Sequence, residues 1–145
     1  MAFVVLGAGA IGSVVGARLH QAGHEVRLHA PRAHLDAVRT CGLRFESPAG
    51  AEVVTVPTAG HAGEIQWDDT HVVLLAVKSQ HTHAALAASA PFTTPIVCLQ
   101  NGIANEPAAL RVFANVYGVS VACPTSYLQP SLVQACRFRA SARPE

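Results

Sequence analysis

Val4-Val5-Leu6-Gly7-Ala8-Gly9-Ala10-Ile11-Gly12 is an apolar run that ends in Gly-x-Gly-x-x-Gly and passes directly into a helical pattern. The glycine spacing alone is a weak signal, but its surroundings make it a strong one. A strand precedes it, a helix follows from about 10 to 22, and a second strand, Glu25 to His29, comes after a Gly23-His24 turn. Gly7 allows a tight exit from the strand. Gly9, with no Cβ, lets a pyrophosphate approach the backbone, and Gly12 lets the helix lie close to the sheet. The helix start presents unpaired N–H groups and a partial positive charge, both suited to phosphate. Gly7, Ala8, Gly9, Ala10, Ile11 and Gly12 thus form the first candidate cofactor-binding segment.

Working outward, strands and helices alternate. A helix is expected over about 33–40, closed by Cys41-Gly42. Short strands at 43–46 and 52–56, joined by Ser47-Pro48-Ala49-Gly50, read as a hairpin. Residues 57–70 read as an irregular connection. Val72 to Val77 is continuously apolar and rich in β-branched residues, the pattern of a strand covered on both faces. An alanine-rich helix (about 81–89), a buried strand (Ile96 to Leu99), a helical segment (106–113) and a strand (116–122) follow. The alternation predicts an α/β, Rossmann-like, doubly wound fold with a mostly parallel sheet and right-handed crossovers. Residues 1–145 read as one dinucleotide-binding domain, with 136–145 a frayed tail.

Composition bounds the function. Half of the 145 residues are hydrophobic and only 13% are charged, about half the usual charged fraction. The longest apolar run, Val72 to Val77, is far too short for a membrane span, and the glycine turn interrupts the N-terminal apolar stretch, so no membrane anchor or signal peptide is read. The excess apolarity is expected to cover a buried sheet, with a remaining face for a partner domain or a second copy in a homo-oligomer. Ten basic and nine acidic residues, without a charge run, argue against nucleic acid or an anionic membrane as partner. Cys41, Cys98, Cys123 and Cys136 are widely spaced and read as free thiols of a cytoplasmic chain, with Cys98 an inert core residue. No metal site is expected: His81-Thr82-His83 sends its rings to different helix faces, and His20, His24, His29 and His34 scatter. Ser120 and Ser126 lack a base partner, and Asp68-Asp69 read as loop carboxylates facing water.

In such a fold, ligands sit at the carboxyl ends of the strands. After the second strand the chain reads His29-Ala30-Pro31-Arg32, with no acid between Val26 and Leu35. An acid there would accept from the ribose 2′-hydroxyl of NAD; a guanidinium would pair with the 2′-phosphate of NADP, so Arg32 favours NADP. The other reading of Arg32 is a solvated residue at a helix start. Lys78, the only lysine, stands where the Val72–Val77 strand ends and its ammonium would reach the cofactor edge. Asn101 follows the next strand in Leu99-Gln100-Asn101-Gly102; its amide suits a ribose or a substrate carbonyl, or serves an Asn-Gly turn.

Gly7-Ala8-Gly9-Ala10-Ile11-Gly12, Ala22-Gly23-His24-Glu25-Val26, Gly42-Leu43, Val77-Lys78-Ser79 and Leu99-Gln100-Asn101-Gly102-Ile103 together resemble the N-terminal half of the ketopantoate reductases, or 2-dehydropantoate 2-reductases, over about residues 1–130. The resemblance implies cytoplasmic, NADPH-dependent reduction of a small 2-oxo acid, 2-dehydropantoate, to (R)-pantoate on the way to pantothenate. It implies that Gly7 to Gly12 bind the pyrophosphate, that Lys78 helps hold NADP, and that Asn101 sits near both nicotinamide and substrate. Family members place the phosphate-binding arginine directly after the second strand, where this chain has Pro31, with Arg32 one step later. The family's helical C-terminal domain, which carries the lysine that donates the proton, is not expected within these 145 residues. No residue here is assigned as the catalytic acid, and the polypeptide alone is expected to bind coenzyme with little or no turnover. A non-catalytic nucleotide-binding module and a reductase of another 2-oxo acid are the alternatives.

Overall fold

A computed structural model describes residues 1–30, 32–47, 50–87, 91 and 93–135. The strands are β1 (Ala2–Leu6), β2 (Glu25–His29), β3 (Leu43–Ser47), β4 (Gly50–Val54), β5 (Thr58–Ala59), β6 (His71–Leu75), β7 (Ile96–Cys98), β8 (Val116–Gly118), β9 (Thr125–Gln129) and β10 (Leu132–Ala135). The α-helices are α1 (Ala10–Gln21), α2 (Arg32–Cys41), α3 (Thr82–Ala87) and α4 (Asn105–Ala109), with single 3-10 turns at Ala62–Glu64 and Ser79–His81.

Six strands form one sheet in the order β5-β2-β1-β6-β7-β8, and every pairing within it is parallel. Counted along the chain, that is the order 3-2-1-4-5-6 of the dinucleotide-binding fold, with its switch point between β1 and β6. β1 and β6 run in full register from Ala2 opposite His71 to Leu6 opposite Leu75. Their side chains divide between two cores. Val5 and Leu74 pack on one face with Leu28, Leu35 and Val38; Val4, Leu6, Val73 and Leu75 pack on the other with Leu86, Ile96, Ala109 and Phe113. A central strand buried on both faces has no polar side to show, and this is why both strands read as unbroken apolar runs.

A second, four-stranded sheet in the order β4-β3-β10-β9 packs on the first core through Leu43, Phe45, Val54 and Val133. The expected hairpin is there as β3 and β4, antiparallel from Leu43 opposite Val54 to Ser47 opposite Gly50; its turn residues Pro48 and Ala49 lie outside the described residues. Arg18 of α1 fastens this sheet, with an ion pair to Glu52 at 2.6 Å and its guanidinium 5.4 Å from the centre of the Phe45 ring.

Several expectations need correction. The segment 57–70 is not wholly irregular, because Thr58–Ala59 joins the sheet beside β2. The helical segment near 106–113 ends at Ala109, and the strand expected to reach Ala122 leaves the ladder after Gly118. The strands β9 and β10 were not expected at all; β10 runs parallel to β3, nearly ninety residues earlier in the chain. The helix expected over 81–89 is α3 as far as Ala87, with its last two residues outside the described set. The tail 136–145, Cys136 and Pro31 also lie outside it.

Candidate functional site

The carboxyl ends of β2, β1, β6 and β7 lie side by side, and all the candidate binding residues sit on the segments that leave them. At β1 the three glycines prove physically different. Gly7 has φ +96°, and a Cβ there would meet Val77 backbone nitrogen and Cγ1 at 2.6 Å. At Gly12 a Cβ would lie 2.2 Å from the Gly7 carbonyl oxygen, with Val5 and Ala76 just beyond it. Internal packing therefore requires both. At Gly9 a Cβ would meet nothing within 4 Å among the described residues, so none of them accounts for a glycine there. A fourth glycine, Gly16, lets α1 settle on Leu28 and Val5.

The donors of the turn also divide. The N–H groups of Gly7 and Ala8 both donate to the His29 carbonyl, at 2.9 and 3.2 Å, and the buried Ser13 hydroxyl donates to the Ala8 carbonyl at 3.0 Å. Those bonds lock the turn and leave Ala8 without a free donor. The N–H groups of Gly9 to Gly12 take no acceptor among the described residues, α1 has no side-chain cap, and its first turn holds no acid. An uncapped, twelve-residue helix with free N–H groups and an open backbone face fits a phosphate-bearing group.

The close approach of Val77 to Gly7 brings the segment that follows β6 to this turn, so Lys78 leaves beside it. Lys78 is exposed, and no hydrogen bond or ion pair holds its ammonium among the described residues. Arg32 opens α2, exposed, in a cleft of about 340 Å³ lined also by Ala30, Asp36, Arg39, His61 and Glu64. A cation at a helix N-terminus opposes the helix dipole, so helix stability does not explain its place. Glu64 is held below the usual carboxylate range, first by the Gly60 N–H at 2.9 Å, then by the charges of His61 and Arg39.

Asn101 bonds to the segment after β8. Its Nδ2 donates to the Val121 carbonyl and its Oδ1 accepts the Val121 N–H, each at 3.0 Å. The positive φ of the Asn-Gly pair falls on Gly102, at +102°. The two bonds tie the segment after β7 to the segment after β8.

Behind it lies a buried polar chain that the sequence did not reveal. Gln100 Nε2 donates to the Val77 carbonyl and to Thr82 Oγ1, both at 2.8 Å; the Thr82 hydroxyl donates to Asn105 Oδ1 at 2.9 Å; Asn105 Nδ2 donates to Ser79 Oγ at 3.2 Å. The usable signal was positional: Gln100 directly follows a buried strand at the edge where this fold binds ligands.

Other groups do structural work. Asp68 is pulled down to about 2, first by the Thr70 hydroxyl and then by the Thr70 N–H and His71; it braces the start of β6 at the opposite edge of the sheet. Burial pushes the Cys98 thiol up to about 11, as expected of an inert core cysteine. Among the described residues no three His, Cys, Asp or Glu side chains gather around a common point, and no helix is long and apolar enough to cross a membrane.

Residues 3–135 match the family model described as ketopantoate reductase PanE/ApbA. The chain is 34% identical to a 2-dehydropantoate 2-reductase of Pyrococcus horikoshii over 108 residues, which cover 73% of this chain and 35% of that protein. Among solved structures, a PanE/ApbA family ketopantoate reductase from Ralstonia eutropha JMP134 superposes with a TM-score of 0.83 at 32% identity, over 93% of this chain and 46% of that one. A D-mandelate dehydrogenase, solved with NADH and anilino(oxo)acetate, superposes with a TM-score of 0.84 at 25% identity, over 93% of this chain and 45% of that one. The chain spans about a third of the length of the curated relatives it matches.

Proposed function

This chain belongs to the ketopantoate reductase family, and from that premise we propose that it is the NADP-binding half of an enzyme that reduces 2-dehydropantoate to (R)-pantoate in pantothenate synthesis, in the cytoplasm. The observation that carries the reading is the open Gly9 between two glycines that packing demands, at the switch point of a parallel sheet. A Cβ-free face with none of the described residues against it, under a row of N–H groups that take no acceptor among them, suits a diphosphate. Bound NADPH supplies a hydride.

In this reading the chain's own residues bind and orient. The N–H groups of Gly9, Ala10, Ile11 and Gly12 hold the diphosphate; Gly7 and Ala8 shape the turn and donate inward. Lys78 brings a positive charge to the same edge, and Arg32 meets the 2′-phosphate in its cleft. Asn101 fixes the wall beside nicotinamide and substrate through Val121. A ketone that accepts hydride also needs a proton or a strong donor at its oxygen. No residue of this chain is assigned that role, so the 145 residues by themselves would bind coenzyme with little or no turnover. Exposed Ile103, Leu110, Tyr117 and Val119, on and between the segments after β7 and around β8, support a partner domain or a second copy covering that end.

Two observations favour a second reading, an NADH-linked reductase of another 2-oxo acid. The Arg32 cleft also holds the carboxylates of Asp36 and Glu64, which oppose a 2′-phosphate, and the D-mandelate dehydrogenase neighbour was solved with NADH. Calorimetric titration with NADPH and NADH decides between them. NADPH binding about tenfold tighter, narrowed by Arg32→Ala, is the expected result; equal binding of the two coenzymes gives the second reading, and no binding of either leaves neither standing.

A further inference from the structure

The Lys78 ammonium has no partner among the described residues, yet the residues on both sides of it are tied to one buried hydrogen-bonded chain. The chain starts at the Val77 carbonyl, passes through the Gln100 amide, the Thr82 hydroxyl and the Asn105 amide, and ends on the Ser79 hydroxyl. It joins the ends of β6 and β7 to the first residues of α3 and α4. Its interior members are sealed from water: Gln100 is 8% exposed, Thr82 2% and Asn105 3%.

We propose that Thr82, Gln100 and Asn105 are positioning residues for the coenzyme: without touching it, they hold the Val77–Ser79 turn so that the Lys78 ammonium faces the Gly9–Gly12 N–H groups across the β1/β6 switch point. This rests on the assignment of Lys78 to the coenzyme made above. Three features favour positioning over simple stabilisation. Both flanks of one residue are held, by a backbone carbonyl on one side and a hydroxyl on the other. Every hydrogen of the Gln100 amide nitrogen is directed into the chain, whereas its Oε1 is buried without a partner among the described residues. A buried acceptor left without a partner costs desolvation that an apolar side chain would not. Finally, hydrogen bonds in a low-dielectric interior are strong and directional, and four of them in series hold the residues flanking Lys78 to one arrangement, which suits the aiming of an otherwise free lysine.

The test is a double-mutant cycle on the full 145-residue chain, read by calorimetric NADPH affinity with the melting temperature of each variant alongside. Lys78→Ala is expected to raise Kd about tenfold. Thr82→Val keeps the branched shape, removes the hydroxyl and is expected to raise Kd about fivefold. Thr82→Ser returns the hydroxyl and the affinity. The deciding result is the double variant: if Thr82 acts through Lys78, its Kd equals that of Lys78→Ala alone. A double variant about fiftyfold weaker than wild type, the product of the two single effects, overturns the proposal while leaving Lys78 on the coenzyme. A Lys78→Ala variant with wild-type affinity overturns the assignment of Lys78 and the positioning claim with it. Should Thr82→Val fail to fold, Ser79→Ala breaks the exposed end of the same chain, and the same comparison with Lys78→Ala applies.

Discussion

The two halves of the carboxyl edge treat their polar groups in opposite ways. On the β1 side, the N–H groups of Gly9 to Gly12 and the Lys78 ammonium are left without partners among the described residues. On the β7 side, Gln100, Asn101, Thr82 and Asn105 all bond to the protein itself. The first half has the chemistry to meet an anion, and the second has the rigidity to keep the edge in shape. A residue type at the end of a strand therefore names a place in this fold but not a role. Whether Asn101 greets a ligand or fastens a loop depends on Val121, twenty residues away.

The sharpest break of the comparison lies inside the glycine motif. Gly12→Ala drives a methyl against the Gly7 carbonyl, with Val5 and Ala76 closing the remaining space. It is expected to cost about 2–3 kcal/mol of stability in urea unfolding. Gly9→Ala, in open space and at a φ of −76° that any residue adopts, is expected to stay within about 1 kcal/mol of wild type. Its methyl nevertheless stands where the diphosphate must lie, so NADPH affinity falls about tenfold. A Gly9→Ala variant that binds normally would place the coenzyme elsewhere.

On the other half the balance reverses. Asn101→Ala removes both bonds to Val121 and is expected to cost about 1 kcal/mol of stability, the loss of affinity following from the loosened wall. Unchanged stability with sharply weakened binding would make Asn101 a direct ligand group after all.

The smallest effect lies away from the edge, at the second sheet. Burial lowers the His34 imidazole from its ordinary value, and its Nδ1 accepts the Ser131 N–H at 3.1 Å, with the Tyr127 hydroxyl at 3.2 Å. The folded chain thus keeps this ring neutral where the unfolded chain takes up a proton. Its contribution is complete above the unfolded value of about 6.5 and is lost as pH falls from there through the lowered folded value. Urea midpoints at pH 7.5 and 5.5 should fall on acidification, and less so in His34→Gln. A midpoint that rises on acidification contradicts this account of the β9–β10 anchor.

What the sequence made legible follows the same physics. β1 and β6 announce themselves because strands buried on both faces leave only apolar residues to read. β9 and β10 give no such sign: Ser126 to Gln129 are exposed, Val133 alone in β10 is fully buried, and the partner of β10 is β3, far back in the chain. β5 is two residues long, too short to carry a period. At the site, the glycine motif is readable since backbone conformation demands glycine at Gly7 and close packing demands it at Gly12. The Gln100 chain is not, since Gln, Thr and Asn beside a helix start look the same whether they face water or one another. Only tertiary structure brings Thr82 to Gln100 and Asn105.

The central claim is that the free N–H groups after β1 hold the coenzyme's diphosphate. The most direct measurement is the backbone amide NMR spectrum of the uniformly labelled chain, titrated with NADPH. The account predicts the largest shifts at Gly9, Ala10, Ile11 and Gly12, with Lys78 next and Gly16 and the β9–β10 amides unmoved. Shifts confined to other segments, or a glycine turn indifferent to saturating NADPH, would contradict it.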